Sequence, residues 1–270
     1  MGRYRYFLSI QTVLPEDYQT NAEFARNLET LKRLAFDGVE LNMRDPTAVD
    51  PQALQAYLAR FGLTLAMFAS GLTAKSFNLS LCSADEGRRR ESIRRCREFL
   101  EFAQTFGAGV IAGYLKGSVS DGTPGARERL EASVAELAPA ADRLRTPLLI
   151  EAVNRYEAPI GRSVAETCAL IENAGSPFVQ ILPDTFHMNI EEANMEAALA
   201  DHRAHFASFH LSDNNRHFPG LGAIDFGRVV DILGRIGYQG KVAIEGNIRT
   251  SFVEDVETSM RILAPILTGC

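Results

Sequence analysis

Residues Val179–Asn189 read VQILPDTFHMN, an apolar run that delivers Asp184 and then His187 within a few positions. The first four residues have the length and β-branched content of a strand buried on both faces. An acid and an imidazole directly after such a strand suit a fold whose strand ends carry chemistry, so the search widens to the other strands. Seven further runs have the same form: RYFLSI, GVELN, LTLAMF, GVIAGY, PLLIEA, FASFHL and KVAIEG. Amphipathic helix-length stretches separate them, among them NAEFARNLETLKRLAF, EGRRRESIRRCREFLEFAQTFGA, ARERLEASVAELAPAADRL and DFGRVVDILGRIGY, and SFVEDVETSMRILAPIL follows the last. Eight strand-then-helix units in 270 residues predict a single (β/α)8 barrel domain over residues 1–270. No Gly/Ser/Pro-rich linker divides it. The competing doubly wound sheet expects a Gly-x-Gly-x-x-Gly turn after the first strand, which LSIQTVLPEDY lacks.

Composition excludes several function classes. A net charge of −6 repels phosphate backbones and anionic membranes, so neither nucleic acid nor a membrane surface is an expected partner. No apolar run approaches the roughly 20 residues of a membrane span, and MGRYRYFLSIQTV has no long h-region, no cleavage site and Tyr6 where a myristoylation signal needs Ser or Thr. The expectation is a soluble, cytoplasmic chain. Cys82, Cys96, Cys168 and Cys270 are scattered without a CxxC pair and read as free thiols.

In such a barrel the chemistry sits at the C-terminal ends of the strands. The fifth strand ends at Glu151, the sixth at Asp184, the seventh at His210 and the eighth at Glu245, each about one strand-helix repeat from the next. The first-half ends are mostly neutral, Glu40 being the exception. Three carboxylates on one rim repel one another, and a divalent cation removes that penalty. Any one of these acids could instead cap a helix or pair with an arginine; four on consecutive strands argue for a metal centre. With mostly hard ligands and no thiolate, Mn2+ is the expected ion, with Mg2+ or Co2+ as alternatives.

IEAVNRYE, DTFHMNIEEAN, HLSDNNRHFPGLGAIDF and GYQGKVAIEG together resemble the xylose isomerase-like barrel superfamily, and within it the D-tagatose and D-psicose (allulose) 3-epimerases. LSLCSADEGRRRESIRRCREFLEFAQTFGAGVIAGY is similar to the same group's third loop, helix and fourth strand. The resemblance implies that Glu151, Asp184, His210 and Glu245 bind the metal and that Glu157, His187 and Arg216 touch the substrate's C1 and C2 oxygens. It also implies a sugar substrate and an assembly of the dimer or tetramer kind, although no segment here identifies an interface. One departure bears on substrate preference: Ser212-Asp213-Asn214-Asn215-Arg216 stands where those epimerases tend to read Gly-Glu-x-Asn/His-Arg.

Removing a proton beside a ketone leaves charge on the carbonyl oxygen, so an electrophile is needed there and a base at the carbon. A carboxylate that binds metal through one oxygen keeps the other free, which makes Glu151 and Glu245 the expected catalytic pair. Bases on two faces suit inversion at C3 of a ketose through a metal-stabilised enediolate. Aldose-ketose or hydroxypyruvate/inosose-type isomerisation is the alternative, and a metal-dependent lyase or hydrolase, or a non-catalytic sugar-binding barrel, are readings from other classes.

Among the partner residues, His187 lies three after Asp184, one helical turn on; Arg216 is either a fixed cation for a substrate oxygen or a surface charge. Glu157 orients Arg155 or a substrate hydroxyl. His202, His205 and His217 are left outside the site. The run RRRESIRRCR reads as a solvated helix face with its arginines paired to glutamates. YLKGSVSDGTPGA is expected as a mobile lid, with Lys116 an exposed lysine or a phosphate contact. In ASGLTAKSFNLSL, Ser70 and Gly71 leave room for substrate while Phe68, Leu72 and Phe77 line its walls or complete the core.

Overall fold

A computed structural model describes residues 4–268. Its strands are β1 Phe7–Val13, β2 Gly38–Asn42, β3 Thr64–Ala69, β4 Gly109–Ala112, β5 Leu148–Glu151, β6 Val179–Leu182, β7 Ser208–Leu211 and β8 Lys241–Ile244. They form one parallel sheet in the order β6-β5-β4-β3-β2-β1-β8-β7. The ring is nearly complete: between β6 and β7 a single bridge joins Asp184 to His210, with the His210 amide donating to the Pro183 carbonyl at 2.9 Å. The seam of the barrel therefore falls at two of the expected metal ligands. Each of the eight expected runs overlaps a strand, with ends displaced by at most three residues and GVELN matching β2 at both ends; β1 extends to Val13 because Gln11, Thr12 and Val13 continue the pairing with Glu40, Leu41 and Asn42.

Strand parity puts the site in place. Leu8, Ile10, Val39, Leu41, Ile150, Ile181, Phe209, Val242 and Ile244 pack outward with the helices in the main core. Met67, Ala69, Ile111, Leu149 and Leu182 make a separate cluster inside the barrel. Side chains alternate along a strand, so two residues beyond interior Leu149 and Leu182 come Glu151 and Asp184 on the same inward face. Glu40, between outward Val39 and Leu41, faces that interior by the same alternation, and opposite it the register is irregular: Val39 pairs with Leu65 but Glu40 pairs with Met67. The extra residue, Ala66, has its carbonyl occupied by the Lys241 ammonium at 3.1 Å, and a bulge of this kind re-aims a side chain.

The helix Glu86–Gln104, capped by the Asp85 side chain, carries the arginine-rich run. Arg89 and Arg90 pair with Glu86, and Arg94 pairs with Glu91 and Glu98, as a solvated face requires. Arg95 departs from that expectation: it is buried, lies 4.3 Å over the Phe77 ring and bonds Asp45 at 3.1 Å. Phe68 completes the core against Phe99 and Phe102, whereas Phe77 remains half-exposed. Cys82, Cys96 and Cys168 are buried free thiols, and Cys270 lies outside the described residues, as do Met1–Arg3. Among the described residues no helix is long and apolar enough to cross a membrane.

Candidate active site

A cavity of about 260 Å³ opens at the C-terminal end of the barrel. Glu151, Glu157, His187, Arg216 and Glu245 line it together with Gln11, Asn42, Lys75 and Tyr114. At its base, one ligand atom from each of Glu151, Asp184, His210 and Glu245 lies within 4.8 Å of the others. The four residues singled out at the strand ends thus converge, and the three expected substrate contacts stand beside them.

The local sequence explains each placement. Asp184 caps the helix Thr185–Glu191, its Oδ1 accepting from the Phe186 amide at 2.6 Å, which leaves Oδ2 toward the cavity. His210 stands between two carboxylates, with Nε2 2.9 Å from Glu40 Oε2 and Nδ1 2.6 Å from Glu245 Oε2. Burial disfavours its charged form, but the charges of Glu40 and Glu245 outweigh burial and hold the imidazole pKa well above its usual value. Arg216 bridges Asp184 Oδ2 at 2.8 Å and Glu245 Oε1 at 2.7 Å from a left-handed backbone position (φ 62°). Burial raises the Glu245 carboxyl, but Arg216 and His210 overcome it and pull the pKa far below the carboxylate range.

Glu151 has the opposite environment. Burial, reinforced by the Glu245 charge, pushes its carboxyl up to about 8, and its Oε1 is buried without a hydrogen-bond partner. Two glutamates in one pocket are thus driven to opposite protonation preferences. An orphaned buried oxygen within reach of two further carboxylates and an imidazole is the donor set a divalent cation satisfies, and such an ion would reverse the upward shift on Glu151. The residues present fit a metal.

His187 is almost wholly buried. Its Nδ1 faces both the Asn154 side-chain amide at 2.7 Å and the Asn154 backbone amide at 3.3 Å, which makes Nδ1 an acceptor and leaves the proton on Nε2. Nε2 lies 3.6 Å from Glu151 Oε1, and burial lowers the pKa, so a neutral N–H donor faces the cavity. Glu157 binds the same Asn154 amide at 3.1 Å. The expected Glu157–Arg155 contact does not form, because Arg155 pairs with Glu191 at 2.9 Å.

Two expectations need revision. Lys116 is neither exposed nor available to a phosphate: it is fully buried, and its loop is fastened by the Arg88–Asp121 ion pair. Asp213, in the segment that departs from the epimerase pattern, points away from the cavity and accepts four loop amides, those of Asn214, Gly220, Gly222 and Ile224, at 2.8–3.0 Å. Asn154 and the role of Glu40 went unread; Asn154 stands inside IEAVNRYE with no period to mark it, and only the inward parity of Glu40 pointed to it.

Comparison with known proteins agrees with this geometry. The model of the xylose isomerase-like TIM barrel family matches residues 28–266. A ketose 3-epimerase of Arthrobacter globiformis is 30% identical over 220 residues, 81% of this chain and 76% of that protein. A 3-dehydro-D-guloside 4-epimerase of Escherichia coli strain K12 is 28% identical over 245 residues, 86% of this chain and 91% of that one. A solved L-ribulose 3-epimerase superimposes with a TM-score of 0.84 at 25% identity, covering 97% of this chain and 94% of its own. With its fold, its cluster of inward acids and a family model that spans most of its length in agreement, this chain is an isomerase belonging to the xylose isomerase-like TIM-barrel family.

Proposed function

We propose that the protein is a divalent-metal-dependent ketose 3-epimerase that inverts C3 of a ketose, with Glu151 and Glu245 as its proton carriers. The observation that carries this reading is the pair itself: two inward glutamates, at the ends of β5 and β8, beside one candidate metal centre. The same reading makes Glu151, Asp184, His210 and Glu245 the metal ligands, with Mn2+ as the preferred ion and Mg2+ or Co2+ as substitutes.

A divalent cation at this site supplies positive charge to the substrate's carbonyl and neighbouring hydroxyl oxygens, which acidifies the adjacent C–H. The chain does the rest. Glu245, held between Arg216 and His210, would remove a proton from one face, and Glu151 would return one from the other. In the reverse direction the roles exchange. His187 Nε2–H and the Arg216 guanidinium are placed to donate to substrate oxygens as charge moves onto them, and Glu157 holds a hydroxyl while Asn154 fixes its orientation.

A second reading keeps the chemistry and moves it one carbon along. The 3-dehydro-D-guloside 4-epimerase is about as similar to this chain as the ketose 3-epimerase, 28% against 30% identical, which supports a 3-keto glycoside inverted at C4 as the substrate of that reading. Both substrates present a C–H beside a ketone. Assembly as a homodimer or homotetramer would cover apolar side chains exposed on the rim, Val13, Phe77, Tyr114, Val119, Tyr156 and Ile248, and light scattering reports it. The test of function is a panel of free ketoses and 3-keto glycosides incubated with the Mn-loaded protein. Interconversion of a C3 pair supports the first reading, inversion at C4 of a glycoside supports the second, and turnover of neither refutes both.

A further inference from the structure

Strands β4 and β5 stay in register as far as Ala112 opposite Ile150, and one more rung would carry the Glu151 carbonyl to the amide of residue 114. That rung is missing, because from Gly113 the chain turns into the 3-10 helix Tyr114–Lys116. A buried carbonyl left without a donor is costly. Here the donor is a side chain: Lys116 Nζ bonds the Glu151 carbonyl at 2.5 Å and the Gly161 carbonyl at 2.6 Å. Lys116 is fully buried and neither acceptor is a carboxylate. Burying an ammonium against two neutral carbonyls is an expensive way to end a strand.

What the ammonium accomplishes is a tie. Gly161 also accepts from the Val153 amide at 3.1 Å, closing the loop that carries Asn154 and Glu157, so Lys116 joins the backbone of Glu151 to the base of that loop. The same turn shapes the other end of the glutamate. A Cβ on Gly113 would lie 2.0 Å from Glu151 Oε2 and 3.2 Å from its carboxyl carbon, so the carboxylate lies in space that only a glycine leaves open.

We infer that the Gly113–Gly117 turn is a positioning device for Glu151, in which Lys116 fixes the carbonyl of that residue and Gly113 fixes the place of its carboxylate. The inference rests on the reading of Glu151 as a proton carrier. It makes Lys116 a positioning residue whose effect passes through Glu151 and the 153–161 loop.

The test uses the full-length Mn-loaded protein and three variants, Gly113→Ala, Lys116→Met and Lys116→Gln, with kcat, KM, Mn affinity and thermal midpoint measured for each. In Gly113→Ala only the mobile end of one side chain must yield, so the midpoint stays near wild type while kcat falls about 100-fold and KM changes less than about threefold. Lys116→Met shows the same kinetic split with a lower midpoint. Lys116→Gln keeps an N–H donor and recovers about tenfold over Lys116→Met. A Gly113→Ala protein with wild-type kcat, or a folded Lys116→Met protein with it, overturns the inference. Should wild type turn over no ketose or keto glycoside, the functional reading fails, and Mn affinity then decides this inference alone: weaker binding in Gly113→Ala upholds it and unchanged binding overturns it.

Discussion

Replacing Glu40 with glutamine removes one charge from the site without changing its shape. Glu40 and His210 are both fully buried, Oε2 accepts from Nε2 at 2.9 Å, and the other oxygen, Oε1, has no partner. Glutamine therefore has two poor choices: its amide oxygen faces Nε2 and its NH2 is buried unpaired, or the NH2 turns toward Nε2–H. Either way the imidazole loses a charge-assisted hydrogen bond, worth about 1.5–3 kcal/mol. Nδ1 faces Asp184 and Glu245, two of the other candidate ligands, so at about 1.4 kcal/mol per tenfold this weakens Mn binding through Nδ1 by about 10–150-fold. The range agrees with the roughly 10–100-fold loss seen when a metal-bound histidine loses its outer partner. Free Mn2+ measured by electron paramagnetic resonance during titration gives the affinity, with circular dichroism confirming the fold. A folded Glu40→Gln protein that binds Mn2+ within threefold of wild type would refute the assignment of Nδ1 as the metal-facing atom and Glu40 as its support.

Three further outcomes follow from the electrostatics. The folded-state pKa values of Glu151 (about 8, from 4.5) and His210 are raised, so protonation of both favours the metal-free fold at low pH; the Glu151 contribution is lost as pH climbs from about 5 through 8, and that of His210 only above the ordinary imidazole range. Cation binding must displace those protons, so the rise in thermal midpoint produced by Mn2+ over EDTA should grow from pH 6 to pH 8; a constant difference would contradict it. Arg216 neutralises Asp184 and Glu245, a task a divalent ion would take over. Arg216→Met should therefore cost the metal-free protein about 3 kcal/mol and the Mn-loaded protein clearly less, measured by urea denaturation. Asp213→Ala strands four loop amides and should lower the thermal midpoint by about 5–10 °C through the 212–224 loop, with Mn affinity nearly unchanged.

The barrel and the strand-end cluster of candidate metal ligands were legible in the sequence because both follow from periodicity. Parallel strands buried on both faces read as apolar runs, and a residue two beyond an interior leucine must face inward, which is how Glu151 and Asp184 announce themselves. His187 was legible because it follows a helix cap by three residues. The unread residues act through contacts with no sequence period. Asn154 joins His187 and Glu157 across 33 and 3 residues, and Lys116 reads as a loop lysine until its Nζ meets carbonyls 35 and 45 residues away. Composition placed Lys116 outside, and tertiary packing put it inside. Arg95 is the same lesson on a helix, where one of the arginines on a charged face turns inward because Phe77 and Asp45 lie opposite it.

The most direct measurement is hydrogen exchange at carbon. The Mn-loaded protein is incubated in deuterium oxide with its ketose or keto glycoside, and proton NMR follows the C–H beside the ketone. Our account predicts deuterium at that carbon in both epimers, with interconversion of the epimers abolished by Glu151→Gln and by Glu245→Gln. A product that forms without taking up solvent deuterium in wild type, or that forms at full rate in either variant, would contradict it.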